Sequence, residues 1–179
     1  MTRTVDVPSR SGISLYTMLA AVVVLGLLGS VLVTEFSGDN ARATTAYAMM
    51  NNIGGAAMRF QVDTGCYPTR PTALQDYSQA SFNSCGRNVN RQNWHGPYLK
   101  DRPANNDGEL ELDNFGPAAS LGMTVSSSGR QLEANVVLHN ATPKILDRLM
   151  DVCGGSESNC ERNNSGGSDS VSLTYAERS

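Results

Sequence analysis

Hydrophobic residues are unevenly spread along this chain of 179 residues. The longest apolar run is Ile13 to Phe36, ISLYTMLAAVVVLGLLGSVLVTEF, and no charged residue occurs between Ser11 and Thr34. Arg10 lies just before the run and Glu35 closes it. As a helix the run reaches ~36 Å at 1.5 Å per residue, enough for a bilayer core of ~30 Å. It is too long for the apolar region of a secretory signal, roughly 7–15 residues, and lacks a small-x-small cleavage site at its far end. Arg3 and Arg10 in the polar leader put the N-terminus in the cytoplasm and the rest of the chain outside.

Beyond Phe36 the period stays helical. Ala43, Ala46, Met49 or Met50, Ile53, Ala57 and Phe60 recur at helix spacing and predict an amphipathic helix over 40–62, continuous or nearly so with the apolar run. Its buried stripe is Ala46, Met50, Ile53, Ala57 and Phe60. Gly54 and Gly55 each cost roughly 1 kcal/mol against alanine, and such small residues let a sheet pack closely. Gly65 supplies a C-terminal stop. Residues 64–117 are poor in apolar periods and rich in Pro, Asn and Gly, which predicts a long irregular excursion. Tyr67, Trp94 and Tyr98 read as aromatics sealing that loop against the body.

From Leu121 the pattern changes to strands. LGMTVSSSGRQLEANVVLH reads as a hairpin turning at Ser127-Ser128-Gly129, with Met123, Val125, Leu132, Val136 and Leu138 inward. Thr142 and Pro143 open a short helix with Ile145, Leu146, Leu149, Met150 and Val152 on its apolar face. Residues 162–170 read as a polar connection to a last strand, Val171 to Tyr175. The fold class is α+β: a long N-terminal helix, half in lipid, packed on a small antiparallel sheet of three or four strands. The regions are a leader (1–12), a transmembrane helix (13–36) and one globular domain (37–179).

Charge narrows the function. The net charge is −3, and removing the leader with Arg3, Asp6 and Arg10 leaves −4, unlike a globally basic nucleic-acid binder. Four cysteines, Cys66, Cys85, Cys153 and Cys160, lie beyond the apolar run, where an exported domain forms disulfides. Three pairings exist; Cys66–Cys85 and Cys153–Cys160 each close a short local loop and are favoured. A zinc site would need His95 or His139 and has no C-x-x-C to build on.

Arg87, Arg91, Lys100 and Arg102 form a basic stretch, with Trp94 beside it for base stacking in a DNA-uptake reading. Asp107, Glu109, Glu111 and Asp113 form an acidic one. That stretch fails the EF-hand pattern, but Asp107, Glu109 and Asp113 offer oxygen ligands for a looser calcium site, with no other cofactor or metal expected. No nucleophile elbow, P-loop, HExxH or dinucleotide glycine pattern occurs, so no enzyme activity is expected.

The basic leader ending at Gly12, followed directly by Ile13-Ser14-Leu15-Tyr16-Thr17, resembles type IV prepilins and the pseudopilins of type II secretion. Gly65-Cys66-Tyr67-Pro68-Thr69 and Trp94-His95-Gly96-Pro97-Tyr98 resemble the segment after the long helix in the major pseudopilin, and those proteins resemble calcium binders. The cysteine-closed loop near the C-terminus resembles the disulfide region of type IV pilins.

The resemblance implies a pilin-like fold. It implies cleavage by a prepilin peptidase between Gly12 and Ile13, methylation of Ile13, and assembly through a helix including Leu15, Thr17 and Gly26. The expected function is a type IV pilus subunit, polymerised with copies of itself by an inner-membrane platform and an assembly ATPase. It would sit in the bacterial inner membrane first and in a periplasm-spanning or extracellular filament later. The alternatives are a secretion pseudopilin, a minor or tip adhesive pilin, and an uncut membrane-anchored periplasmic binding domain. Thr17 stands where the family usually has a glutamate, and a hydroxyl cannot neutralise an ammonium in lipid.

Overall fold

A computed structural model describes residues 16, 18, 19, 22, 23, 38–128, 131–154, 159–165 and 168–178. The chain divides into two units, 1–37 and 38–179. In the first, Tyr16, Met18, Leu19, Val22 and Val23 are helical with exposed side chains. The expectations placed on Gly12, Ile13, Leu15, Thr17 and Gly26 lie outside the described residues, as does most of the apolar run. Among the described residues no helix is long and apolar enough to cross a membrane.

The second unit opens with α1, Gly38–Thr64, two residues longer at each end than its apolar period suggested. The expected stripe of Ala46, Met50, Ile53, Ala57 and Phe60 is buried, joined by Ala43 and Ala56. At Gly54 an added Cβ would lie 2.8 Å from the Cβ of Tyr175, so this glycine lets α1 meet the last strand. Gly55 is exposed and serves no such contact. Gly65, at φ +75°, turns the chain out of the helix while its N–H donates to the Gln61 carbonyl (2.8 Å).

Five antiparallel strands form one sheet: β1 (Leu110–Glu111), β2 (Ser120–Ser128), β3 (Gln131–His139), β4 (Cys160–Ser165) and β5 (Ser168–Arg178), in the order β1-β2-β3-β5-β4. The register pairs Leu121 with Leu138 and Met123 with Val136. Val171 and Leu173 continue the same rows across β5, which gives the core face that α1 covers. The second helix, α2 (Pro143–Cys153), packs on α1 and buries Ile145, Leu146 and Leu149.

The sheet has five strands where the sequence suggested three or four, and the outline is corrected in four further places. Val125 and Leu132 are only partly buried, because the register sets them near the turn end of the hairpin. Val152 is exposed, one position off the buried face of α2. Thr142 precedes α2 without a side-chain cap bond; its carbonyl instead accepts from Ile145 and Leu146. The polar connection at 162–170 is a β-hairpin: β4 pairs with β5 from Cys160↔Leu173 to Ser165↔Ser168. An edge strand needs only one partner and shows water its other side, so CERNNS forms one without an apolar alternation.

Candidate functional site

Residues 65–119 leave the regular architecture but not the core. Cys66 and Cys85 are joined by a disulfide, closing the first part of the excursion. Buried Asn83 sits inside that loop, where its side-chain amide donates to the carbonyls of Ala80 (2.7 Å) and Arg87 (2.8 Å) and its oxygen accepts from the Cys85 N–H (3.0 Å). Pro71–Leu74 forms a 3₁₀ turn that drives Leu74 into the core, fully buried. The Leu74 carbonyl accepts from the N–H groups of both Tyr98 and Leu99.

The Trp94–Tyr98 segment is anchored to the last turns of α1. Tyr98 meets Phe60 and Trp94 edge-on at 5.7 Å each, and Trp94 meets Tyr77 at 5.8 Å. The Tyr98 hydroxyl donates to Asp63 (2.7 Å) and accepts from the His95 N–H (3.0 Å). His95 Nδ1 lies 3.3 Å from the same carboxylate oxygen of Asp63. Burial, and then the bond to Asp63, pushes the Tyr98 hydroxyl up to about 12. Arg59 adds a bond to the Tyr98 carbonyl. The aromatics therefore act as loop anchors, as their amphipathic character predicts.

The fold spreads the basic stretch over more than one place. Arg91 lies over the rings of Tyr77 (4.4 Å) and Trp94 (5.5 Å), so the stacking faces and the cation serve each other. Lys100 and Arg102 point elsewhere, to the mouth of an apolar cavity against α1.

The looser calcium site is not assembled. Among the described residues no group of three or more His, Cys, Asp or Glu side chains comes together to hold a metal. Glu109, the middle member of the expected set, turns inward. Its carboxylate accepts from Ser120 Oγ (2.6 Å) and the Asn105 amide (3.3 Å) and lies 3.7 Å from His139 Nε2. Asn105 Oδ1 accepts from the N–H groups of Asp107 and Glu109. Asn105 and Glu109 thus build a turn that clips the start of β1 to β2, while Asp107 and Asp113 stay exposed.

At the other end, a second disulfide joins Cys153, the last residue of α2, to Cys160, the first of β4. Arg162 on β4 pairs with Asp169 on β5 and with Asp147 on α2. That guanidinium holds the Asp169 carboxyl below the usual range. Local spacing foreshadowed the two disulfides. It did not foreshadow Asp63–Tyr98–His95, Glu109–Ser120–His139 or the Arg162 clamp, whose members come from different elements.

A long helix laid on an antiparallel sheet, with a disulfide-pinned excursion between them, defines a domain of the pilin and pseudopilin class. The family model described as type II secretion system, protein G, matches residues 35–137, more than half of the chain, and the chain belongs to that family. It is also 31% identical over 98 residues to the type II secretion system core protein G of Xanthomonas campestris pv. campestris. That alignment covers 52% of this chain and 62% of the relative, so the chain spans about three-fifths of the relative's length. No solved structure matches. Both names concern type II secretion, and they favour the secretion pseudopilin over the pilus subunit put first from the sequence. The family match spans α1, the excursion, β1, β2 and most of β3, and ends before α2 and the β4–β5 hairpin.

Proposed function

We propose that this chain is a pseudopilin, a structural and non-enzymatic subunit of a type II secretion filament. The observation that carries the reading is the family match across α1 and the whole excursion. The apolar run 13–36 supports it: such a helix is stable in lipid before assembly and among neighbouring helices afterwards, and stays out of water in both. In this reading a peptidase cuts between Gly12 and Ile13 on the cytoplasmic side. An inner-membrane platform and its ATPase then draw the helix into a periplasm-spanning polymer of this chain.

Thr17 favours a second reading, a minor subunit within that filament. With no glutamate to neutralise a neighbour's new N-terminal amine, this chain would enter the polymer less readily than a subunit carrying one.

Intact mass of the protein from membranes, with and without the Gly12→Val substitution, tests the core of the proposal. Wild type should lack residues 1–12, carry one methyl on Ile13 and lack four thiol hydrogens, while Gly12→Val should keep the leader. A full-length mass for both would leave only an anchored periplasmic domain. Cysteine cross-linking between apolar helices of neighbouring copies then separates the subunit classes: a ladder of long homopolymers marks a major subunit, mixed dimers a minor one.

A further inference from the structure

Beside the middle of α1 lies a cavity of about 260 Å³. Its walls include Ile53 from α1, Leu99 from the excursion, Leu110 from β1, Leu112 just after it, and Leu121 from β2. All five are buried. The gap has a structural origin. α1 packs on β3 and β5, whereas β1 is only two residues long and irregular backbone crosses this end of the sheet. For scale, an apolar cavity of ~150 Å³ takes up benzene.

The mouth is polar and carries Asn52, Lys100 and Arg102. All three are exposed. Among the described residues the Asn52 amide and the Lys100 ammonium meet no hydrogen-bond or ion-pair partner, and Arg102 meets only the Met49 sulfur, at 3.9 Å. Among the described residues no acidic one lines the cavity. Asp101, between the two cations in sequence, lies instead in a neighbouring polar groove with Asp76, which Arg102 also borders without an ion pair to either. Several other cations are committed, Arg91 to aromatic rings, Arg162 to two aspartates and Lys144 to Asp39. Two unpaired cations over an apolar floor, in a chain of net charge −3, complement one chemistry: an anion on an apolar tail.

We propose that this cavity is a binding site for an amphipathic carboxylate. The tail fills the space among Ile53, Leu110, Leu112 and Leu121. The carboxylate lies on Lys100 and Arg102, where a guanidinium can hold both oxygens at once, and the Asn52 amide donates to it. A free fatty acid presents this chemistry, and so does a polypeptide ending in an apolar residue.

The test uses the full chain in phosphatidylcholine nanodiscs, labelled by light with a diazirine analogue of decanoate and mapped by peptide mass spectrometry. Label should concentrate on the peptides holding residues 49–53 and 98–112. Excess decanoate should remove it, and decanol, with the same tail and no charge, should not. Lys100→Glu with Arg102→Glu, a change of exposed side chains only, should lower labelling at these peptides at least tenfold with circular dichroism unchanged. Leu112→Trp, which fills the space, should do the same. Competition by a short peptide ending in leucine carboxylate, but not by its amide, would identify a polypeptide source; competition by decanoate alone would identify a fatty acid. Label absent from these peptides, equal competition by decanol, or unchanged labelling of the charge-reversed variant would overturn the proposal.

Discussion

Between residues 120 and 178 the backbone does most of the holding. β2, β3, β5 and β4 form a continuous antiparallel ladder with a single irregularity, between Ala134 and Asn135. Between residues 65 and 119 only Leu110–Glu111 joins that ladder as a strand. There, side chains replace it: a disulfide, the Asn83 amide, the Phe60–Tyr98–Trp94–Tyr77 contacts and the Glu109 clip. Yet both regions feed one core, in which Leu74 and Leu138 are equally buried. A ladder spreads its hold over many bonds, each worth about 0.5–1.5 kcal/mol net. The excursion concentrates its hold in a few side chains, so single changes there should open it locally while the sheet persists.

The largest effect tests whether the excursion is core or cover. Leu74→Ala should cost about 2–5 kcal/mol, in the same range as Leu138→Ala on β3. Denaturant unfolding measures both, and a near-neutral Leu74→Ala would reduce the excursion to a surface loop.

The disulfides sharpen the contrast next. Cys66 and Cys85 are 19 residues apart and Cys153 and Cys160 are 7 apart. Replacing the first pair by serine should cost about 2–4 kcal/mol, and the second about 0.9 kcal/mol less, from loop-closure entropy alone. Hydrogen exchange should show the first loss opening residues 65–99 with β2 and β3 still protected. Equal losses at both sites would mean that loop length does not govern the difference.

Tyr98→Phe removes the hydroxyl shared by Asp63 and His95 and should cost about 1–2 kcal/mol. It should also change the alkaline limb. The hydroxyl titrates at about 12 when folded against an ordinary 10.0, so its contribution is complete below pH 10 and is lost as pH rises through 12. In the phenylalanine variant the fall in stability across that window should be shallower. Tyr175, also raised by burial, keeps some of it.

The smallest effect belongs to the ladder half. Arg162 holds the Asp169 carboxyl below its ordinary 3.8, so this pair contributes above that pH and the contribution fades as pH drops through the lowered value. Arg162→Gln should lower stability at neutral pH slightly, since exposed pairs contribute little, and that deficit should vanish in acid once the carboxyl is protonated, so the acid limb below about pH 4 is flatter by the same small amount. An unchanged acid limb would show that the β4–β5 ladder and the Cys153–Cys160 bond hold the hairpin without the clamp.

Much of this was legible locally. Period alone marked α1 and its buried stripe, the β2–β3 hairpin and α2, because one-sided burial repeats at the pitch of the element. β4 escaped because a polar edge strand has no such alternation, and β5 was drawn too short because its polar start, Ser168 to Ser170, pairs with β4 and its charged end, Glu177 and Arg178, pairs with β3. The acids at 107, 109 and 113 read as an oxygen cluster because sequence shows proximity along the chain and not direction. In the fold Glu109 points to Ser120 and His139.

The sequence by itself determined an apolar run of membrane-spanning length, a helix behind it, strands after residue 120 and two local cysteine loops. Each is a property of spacing within a short window. Only the tertiary structure decided where the excursion goes, why Gly54 must be small, what Glu109 and Arg162 bind, and that a cavity opens beside α1 under Lys100 and Arg102. Those depend on separate elements, from 7 residues apart at Arg162 and Asp169 to 39 at Arg59 and Tyr98, meeting at a few ångströms. Local periodicity holds no information about such meetings, because they are fixed by how the helix, the sheet edge and the irregular chain fill one shared volume.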